Sequence, residues 1–173
     1  MELWDVYNRD KTKSNKTMIK GEKFEEGAYH LVVHAFIFNS KDEMLIQQRQ
    51  PFKSGWSNMW DITVGGSAVW GETSQAAIER ELLEEIGLKI NLQNVQPHLT
   101  INFDVGFDDI YLIEKEINIK DLVLQYEEVQ RVKWATLEEI YRKIDEGVFI
   151  PYYKSLIQLL FDMRKQYGCH QAK

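Results

Sequence analysis

The sequence predicts a single domain of mixed α/β class, and three observations carry that prediction. Its 173 residues can bury a hydrophobic core and fit one domain better than two. Apolar runs of strand composition alternate with segments whose apolar residues recur at helical spacing. No internal repeat, low-complexity tract or linker divides the chain. With 44% hydrophobic and 28% charged residues, the composition is that of a globular protein able to fold on its own.

In chain order, residues 1–27 read as an N-terminal extension, with a short strand at Leu3–Tyr7 and a loop or short helix at Thr17–Glu25. Leu31–Phe38 is dense in apolar and β-branched residues. The turn chemistry of Asn39-Ser40-Lys41-Asp42 then leads into Met44-Leu45-Ile46, which predicts a β-hairpin. From Thr73 to Ile86 the apolar residues Ile78, Leu82, Leu83 and Ile86 recur at helical spacing, with Thr73 or Ser74 as cap and Gly87 as stop. Further strands are expected at Ile90–Leu92, Thr100–Phe103, Ile110–Ile113 and Val129–Trp134. A second helix is expected at Leu137–Ile144. A third follows Pro151, its apolar face made by Tyr152, Leu156, Leu159, Leu160 and Met163.

The formal net charge of −6 disfavours stable nucleic-acid binding and attraction to anionic membranes, so a polyphosphate would need bound cations. No apolar run reaches the length of a membrane span, and the N-terminus lacks a signal-peptide pattern, so the expected location is the cytoplasm. The single cysteine, Cys169, excludes an internal disulfide and a cysteine metal cage. A homodimer is compatible with the sequence.

The segment that carries chemistry runs from Gly66 to Leu88: Gly66, Glu72, then Arg80-Glu81-Leu82-Leu83-Glu84-Glu85-Ile86-Gly87-Leu88. At about 100° per residue, Glu84 lies about 60° to one side of Glu81 and Glu85 about 40° to the other, so the three carboxylates share a helix face. Like charges at that spacing cost roughly 0.2–0.5 kcal/mol per pair. Arg80 can reach Glu84 one turn on, but one guanidinium cannot neutralise this set together with Glu72 and Glu79. A divalent cation can, and hard oxygen ligands favour Mg²⁺, with Mn²⁺ the alternative. A solvated acidic face is the bland alternative, yet the whole set of fixed positions arises by chance only about once in ten million chains of this length.

These residues match the Nudix box of the Nudix hydrolases at every defining position. The resemblance implies an α/β/α sandwich with a mixed β-sheet, spanning residues 1–173 as one domain, with the box (66–88) as a loop-helix-loop. It further implies that Glu81, Glu84 and Glu85 are metal ligands and that Glu72 and Arg80 brace the loop and orient the carboxylates. The carbonyl of Gly65 or Gly66 is a further candidate ligand. The implied reaction is Mg²⁺-dependent hydrolysis of a phosphoanhydride, in a nucleoside diphosphate linked to another moiety.

The order around His30, His34, Leu45-Ile46-Gln47-Gln48-Arg49 and Trp60-Asp61-Ile62-Thr63-Val64-Gly65-Gly66 resembles the branch containing isopentenyl diphosphate isomerase. That isomerase has a catalytic cysteine and a metal-binding histidine where this chain has Gly65 and Ser67, whereas the hydrolase glutamates here are intact. Hydrolysis is therefore the expected reaction. A noncatalytic nucleotide-binding module and an isomerase-like protein are the alternatives. His30 and His34 lack a third ligand and are read as core or hydrogen-bonding residues. Arg49 is a candidate for phosphate recognition. Glu128 and Asp109 are candidates for the catalytic base or a further metal or substrate contact. Trp56, Trp60, Phe107 and Tyr111 fit either stacking on a base or a place in the core.

Overall fold

Residues His30–Phe38 form strand β3, and burial on both of its faces makes it the centre of the sheet. Val33, Ala35 and Ile37 enter one core cluster and Phe36 and Phe38 the other, as the two-residue period of a strand requires. The computed structural model describes residues 2–170 and builds a seven-stranded mixed sheet around this strand. β3 lies parallel to β8 (Gly106–Glu114) and antiparallel to β6 (Val64–Ser67). β4 (Met44–Arg49) pairs with both β5 (Trp60–Asp61) and β9 (Val129–Ala135), and β7 (Leu99–Phe103) pairs with β8. The expected hairpin at 39–42 forms, with Asn39 Oδ1 accepting from the amides of Lys41 and Glu43 at 2.9 and 3.0 Å. Its strands pair only at Phe38 and Met44, because β4 instead takes β5 and β3 takes β6.

Helices cover both faces and complete the α/β/α sandwich. Helix α1 (Ser74–Ile86) buries Ala77, Ile78, Leu82 and Ile86 against Val33, Ala35, Ile37, Tyr111 and Ile113. Helices α2 (Leu137–Asp145) and α3 (Lys154–Met163) cover the other face with Ile140, Ile157, Leu160 and Phe161. Fully burying a side chain of this size contributes about 1.5–3 kcal/mol, so the two clusters hold the layers together. Among the described residues no helix is long and apolar enough to cross a membrane.

Four expectations need correction. Lys13–Ile19 is a strand, β2, paired antiparallel with β1 (Leu3–Tyr7), where a loop or short helix was expected from Thr17. Its mostly exposed polar side chains carry no alternating pattern, and the ladder to β1 supplies the order. Ile90–Leu92 is not a strand; Leu92 is buried and its amide bonds to the Glu79 carboxylate. β5 and β6 were not anticipated. Finally, α3 begins at Lys154; of its expected apolar face Leu160 and Met163 are buried and Tyr152 and Leu156 pack on the core, whereas Leu159 is 43% exposed and Ile157 and Phe161 are buried in addition.

The N-terminal segment is more than an extension, because it clasps the loop ahead of α1. The Trp70 amide donates to the Leu3 carbonyl at 2.7 Å and the Gly71 amide to Asp5 Oδ2 at 2.9 Å. Lys13 Nζ donates to the Glu72 carbonyl at 2.9 Å.

Candidate active site

Local capping fixes the ends of the glutamate helix. Thr73, in extended conformation, accepts from the Ala76 amide at 3.2 Å, which identifies it rather than Ser74 as the cap. Gly87 adopts φ +67° and its amide and that of Leu88 close on Leu83 and Leu82, a left-handed stop that favours glycine. The next carbonyls are taken by the 115–128 loop, with Val123 donating to Ile86 at 3.1 Å and Gln125 to Glu85 at 2.9 Å. That contact brings the Glu128 end of the loop beside the helix.

Arg80 uses every donor of its guanidinium. Nε and Nη2 grip Glu72 at 2.7 and 3.0 Å, Nη1 donates to Glu81 at 2.9 Å and to Glu84 at 3.0 Å, and Nη2 also reaches the Ser67 carbonyl at 3.1 Å. Glu72 in turn accepts from the Val69 amide at 2.9 Å. The hydrogen bond to Glu72 leads the effects that raise the Arg80 pKa above its ordinary value. Loop, β6 and helix are thereby tied through one side chain.

The three helix glutamates differ in environment. Glu84 is half exposed, with side-chain exposure of 50% against 14% for Glu81. Burial raises the Glu81 pKa, with the Glu84 charge adding to it and Arg80 opposing. Glu85 is buried and accepts one bond, from Gln47 Nε2 at 2.9 Å. Burial above all, with the charges of Glu81, Glu128 and Asp61 adding, pushes Glu85 up to about 8. Gln47 Oε1, next to it, is buried without a partner among the described residues. Among the described residues no three acidic, histidine or cysteine side chains converge as a closed metal cage. Glu81 and Glu84 converge instead on Arg80, while Glu85 faces Gln47. The buried Glu85 carboxyl, the orphaned Gln47 amide oxygen and the nearby charges of Glu81, Glu128 and Asp61 form an acceptor-rich corner. That chemistry fits a hard cation that keeps much of its own water and takes few protein ligands.

Linkage gives this burial a measurable consequence. The folded-state pKa of Glu85 lies above its unfolded value, so its contribution to stability is full below about 4.5 and is lost as pH rises through about 8. The melting temperature of metal-free protein is expected to fall across that window, and Glu85→Gln to flatten the fall. Equal slopes in both proteins would refute the assignment.

At two neighbouring positions a side chain would displace a neighbour. A Cβ on Gly66 would stand 2.1 Å from Glu81 Oε1, and one on Gly65 would stand 2.1 Å from Cδ2 of His34. Glu81 and His34 therefore approach β6 from its two sides.

Of the remaining candidates, Glu128 is brought near Glu85 and is ion-paired to Lys53 at 2.6 Å. Arg49 donates to the Gly55 carbonyl at 3.2 Å and lies 3.7 Å from Asp61. Asp109 is not brought to the glutamates; it is buried, bonded to Lys11 and to Thr100 Oγ1, the latter at 2.6 Å. His34 bonds Asp108 at 2.7 Å, and His30 is buried among Trp4, Phe24 and Phe103, where burial pushes it down to about 4. Trp60, Phe107 and Tyr111 are buried, which leaves Trp56 as the exposed member of the proposed stacking set. Lys53 and Gln47 are the polar neighbours that sequence reading missed. Consecutive glutamines inside an otherwise apolar strand were the available signal for Gln47.

The NUDIX domain family matches residues 28–154. An uncharacterised Nudix hydrolase from Listeria innocua is 44% identical over 98% of this chain and 99% of its own length. An isopentenyl-diphosphate Delta-isomerase from Pectobacterium atrosepticum is 30% identical, covering 83% of each chain. A crystal structure of a Deinococcus radiodurans protein superposes with TM-score 0.72 at 23% identity, over 96% of this chain and all of that one.

Proposed function

Since the chain belongs to the Nudix hydrolase family, we propose that it hydrolyses the phosphoanhydride of a nucleoside diphosphate linked to another moiety, with Mg²⁺ or Mn²⁺ held by the helix glutamates. The bound cation would neutralise phosphoryl oxygens and supply an activated water. Glu81, Glu84 and Glu85 would hold it, with the Gly66 carbonyl as a further candidate ligand. Arg80, itself gripped by Glu72, positions Glu81 and Glu84, while Gln47 positions Glu85. Either a helix glutamate or Glu128 receives the proton. Arg49 and Lys53, at the end of β4 and in the loop after it, supply positive charge for the diphosphate.

The observation that carries this reading is the acceptor-rich corner at Glu85, where a buried carboxyl and an orphaned Gln47 oxygen face neighbouring negative charge. Isolated buried carboxylates of this kind are costly, and a cation converts the cost into affinity. Phosphate release from a panel of nucleoside diphosphate derivatives, with and without Mg²⁺, tests it. Millimolar Mg²⁺ is expected both to enable turnover and to raise the melting temperature by mass action. Metal-independent turnover, or no turnover across the panel together with an unmoved melting temperature, would sink the proposal.

The isomerase relative motivates a second reading, which the site disfavours. Gly65 and Ser67 lack the thiol and imidazole of that chemistry, and the space a Gly65 side chain would need is filled by the His34 ring.

A further inference from the structure

On the other face of β4 from Gln47 and Glu85, three cations close on one buried indole. Arg131 Cζ lies 5.2 Å, Lys133 Nζ 5.1 Å and Lys143 Nζ 4.9 Å from the centroid of the Trp60 ring, which is 6% exposed. β9 supplies the first two and α2 the third, so sheet edge and helix converge on the ring. The chain as a whole carries a net charge of −6, which makes a local knot of positive charge conspicuous. Attraction to the ring face offsets part of the mutual repulsion.

The anions of the neighbourhood are committed elsewhere. Glu139 pairs with Lys133, Asp145 pairs with Lys154 at 2.6 Å, and Glu146 lies 3.9 Å from Arg142. Lys143 has no ion pair among the described residues, and burial together with the Lys133 charge lowers its pKa. Arg131 is held in place through Nε, which donates to Gln48 Oε1 at 2.6 Å. Gln48 is itself fixed by donating to the Asn58 carbonyl at 2.8 Å. The two terminal amino groups of Arg131 have no protein partner among the described residues, leaving the fork that suits a phosphate. Aliphatic stems alone could sheathe the indole. A sheath does not require one guanidinium to be positioned by a side-chain relay while a lysine beside it lacks a counter-ion.

We propose that Arg131 and Lys143, flanked by Lys133 over Trp60, form a binding site for a phosphate group, separate from the glutamate corner. Arg131 would take two phosphate oxygens through its terminal amino groups and Lys143 a third. The phosphate can belong to a remote part of the enzyme's own substrate or to a separate small phosphorylated molecule, and both present the same oxygens.

Inorganic phosphate is the probe, titrated calorimetrically into protein stripped of metal on a chelating resin, at low ionic strength. Wild type is expected to bind, Lys143→Met and Arg131→Met each to weaken binding about tenfold, and Lys143→Arg to retain it, on the scale of charge-assisted hydrogen bonds. Methionine keeps an apolar stem over Trp60, so melting temperatures are expected to stay near wild type, which separates lost charge from lost packing. In the hydrolysis assay, a raised KM at unchanged kcat in Lys143→Met assigns the phosphate to the substrate. An unchanged KM, with added phosphate altering the rate of wild type and not of the variant, assigns it to a separate ligand. Absence of phosphate binding in wild type, or wild-type affinity in the Arg131→Met/Lys143→Met double variant, overturns the proposal. Because binding is read without metal or turnover, this outcome does not depend on that of the glutamate site.

Discussion

Replacing Glu85 with glutamine is expected to lower turnover roughly a thousandfold, the scale of losing about 4 kcal/mol of transition-state stabilisation, while raising the melting temperature of the metal-free protein at pH 8. The two effects have one cause. Glu85 is the most buried of the helix glutamates, and the charges of Glu81, Glu128 and Asp61 add to the burial that disfavours its ionised form. An amide of the same shape can still accept from Gln47 but carries no charge to desolvate and binds a hard cation poorly. The Mg²⁺-dependent gain in melting temperature should shrink in the same variant. Turnover within about tenfold of wild type would remove Glu85 from the ligand set, the tenfold corresponding to about 1.4 kcal/mol. A fall in metal-free stability would instead make its role structural.

Part of this could be read before the fold was known, and part could not. The spacing of Glu81, Glu84 and Glu85, and the phase of Ile78, Leu82 and Ile86 beside them, follow from helical geometry, and the buried trio is buried as the period demands. Periodicity places side chains on a face; it does not say what lies opposite. That Glu85 meets Gln47 while Glu84 stays half exposed depends on β4 packing under the helix, a contact between residues 38 positions apart. The same limit applies to Asp109, whose sequence neighbours read like those of Asp108 but whose partner is Lys11, from the N-terminal hairpin. That hairpin was half legible, because β2 is polar and exposed and has no pattern of its own. Gly65 and Gly66 were legible as glycines of a motif. Their physical reason, an imidazole against one and a carboxylate against the other, needed coordinates.

The second large effect is expected at Arg80, where Arg80→Ala should cost about 3 kcal/mol of stability, the lower end for unpairing a buried charge, and abolish detectable hydrolysis. The side chain is 26% exposed, so solvent softens the loss, but five bonds end on it. Without them the Glu72 carboxylate keeps, among the described residues, only its bond from the Val69 amide, the Ser67 carbonyl loses its side-chain donor, and Glu81 and Glu84 repel one another with no cation between them. Lysine in its place retains the charge but offers three donors from one point, which cannot grip Glu72 with two parallel bonds and still reach both helix carboxylates. Arg80→Lys is therefore expected to recover most of the melting temperature and little of the activity. Thermal melts and turnover measured on both variants separate the two contributions. If Arg80→Lys restored turnover along with stability, net charge alone would suffice at this position, and the claim that the guanidinium holds the carboxylates in a fixed geometry would fail.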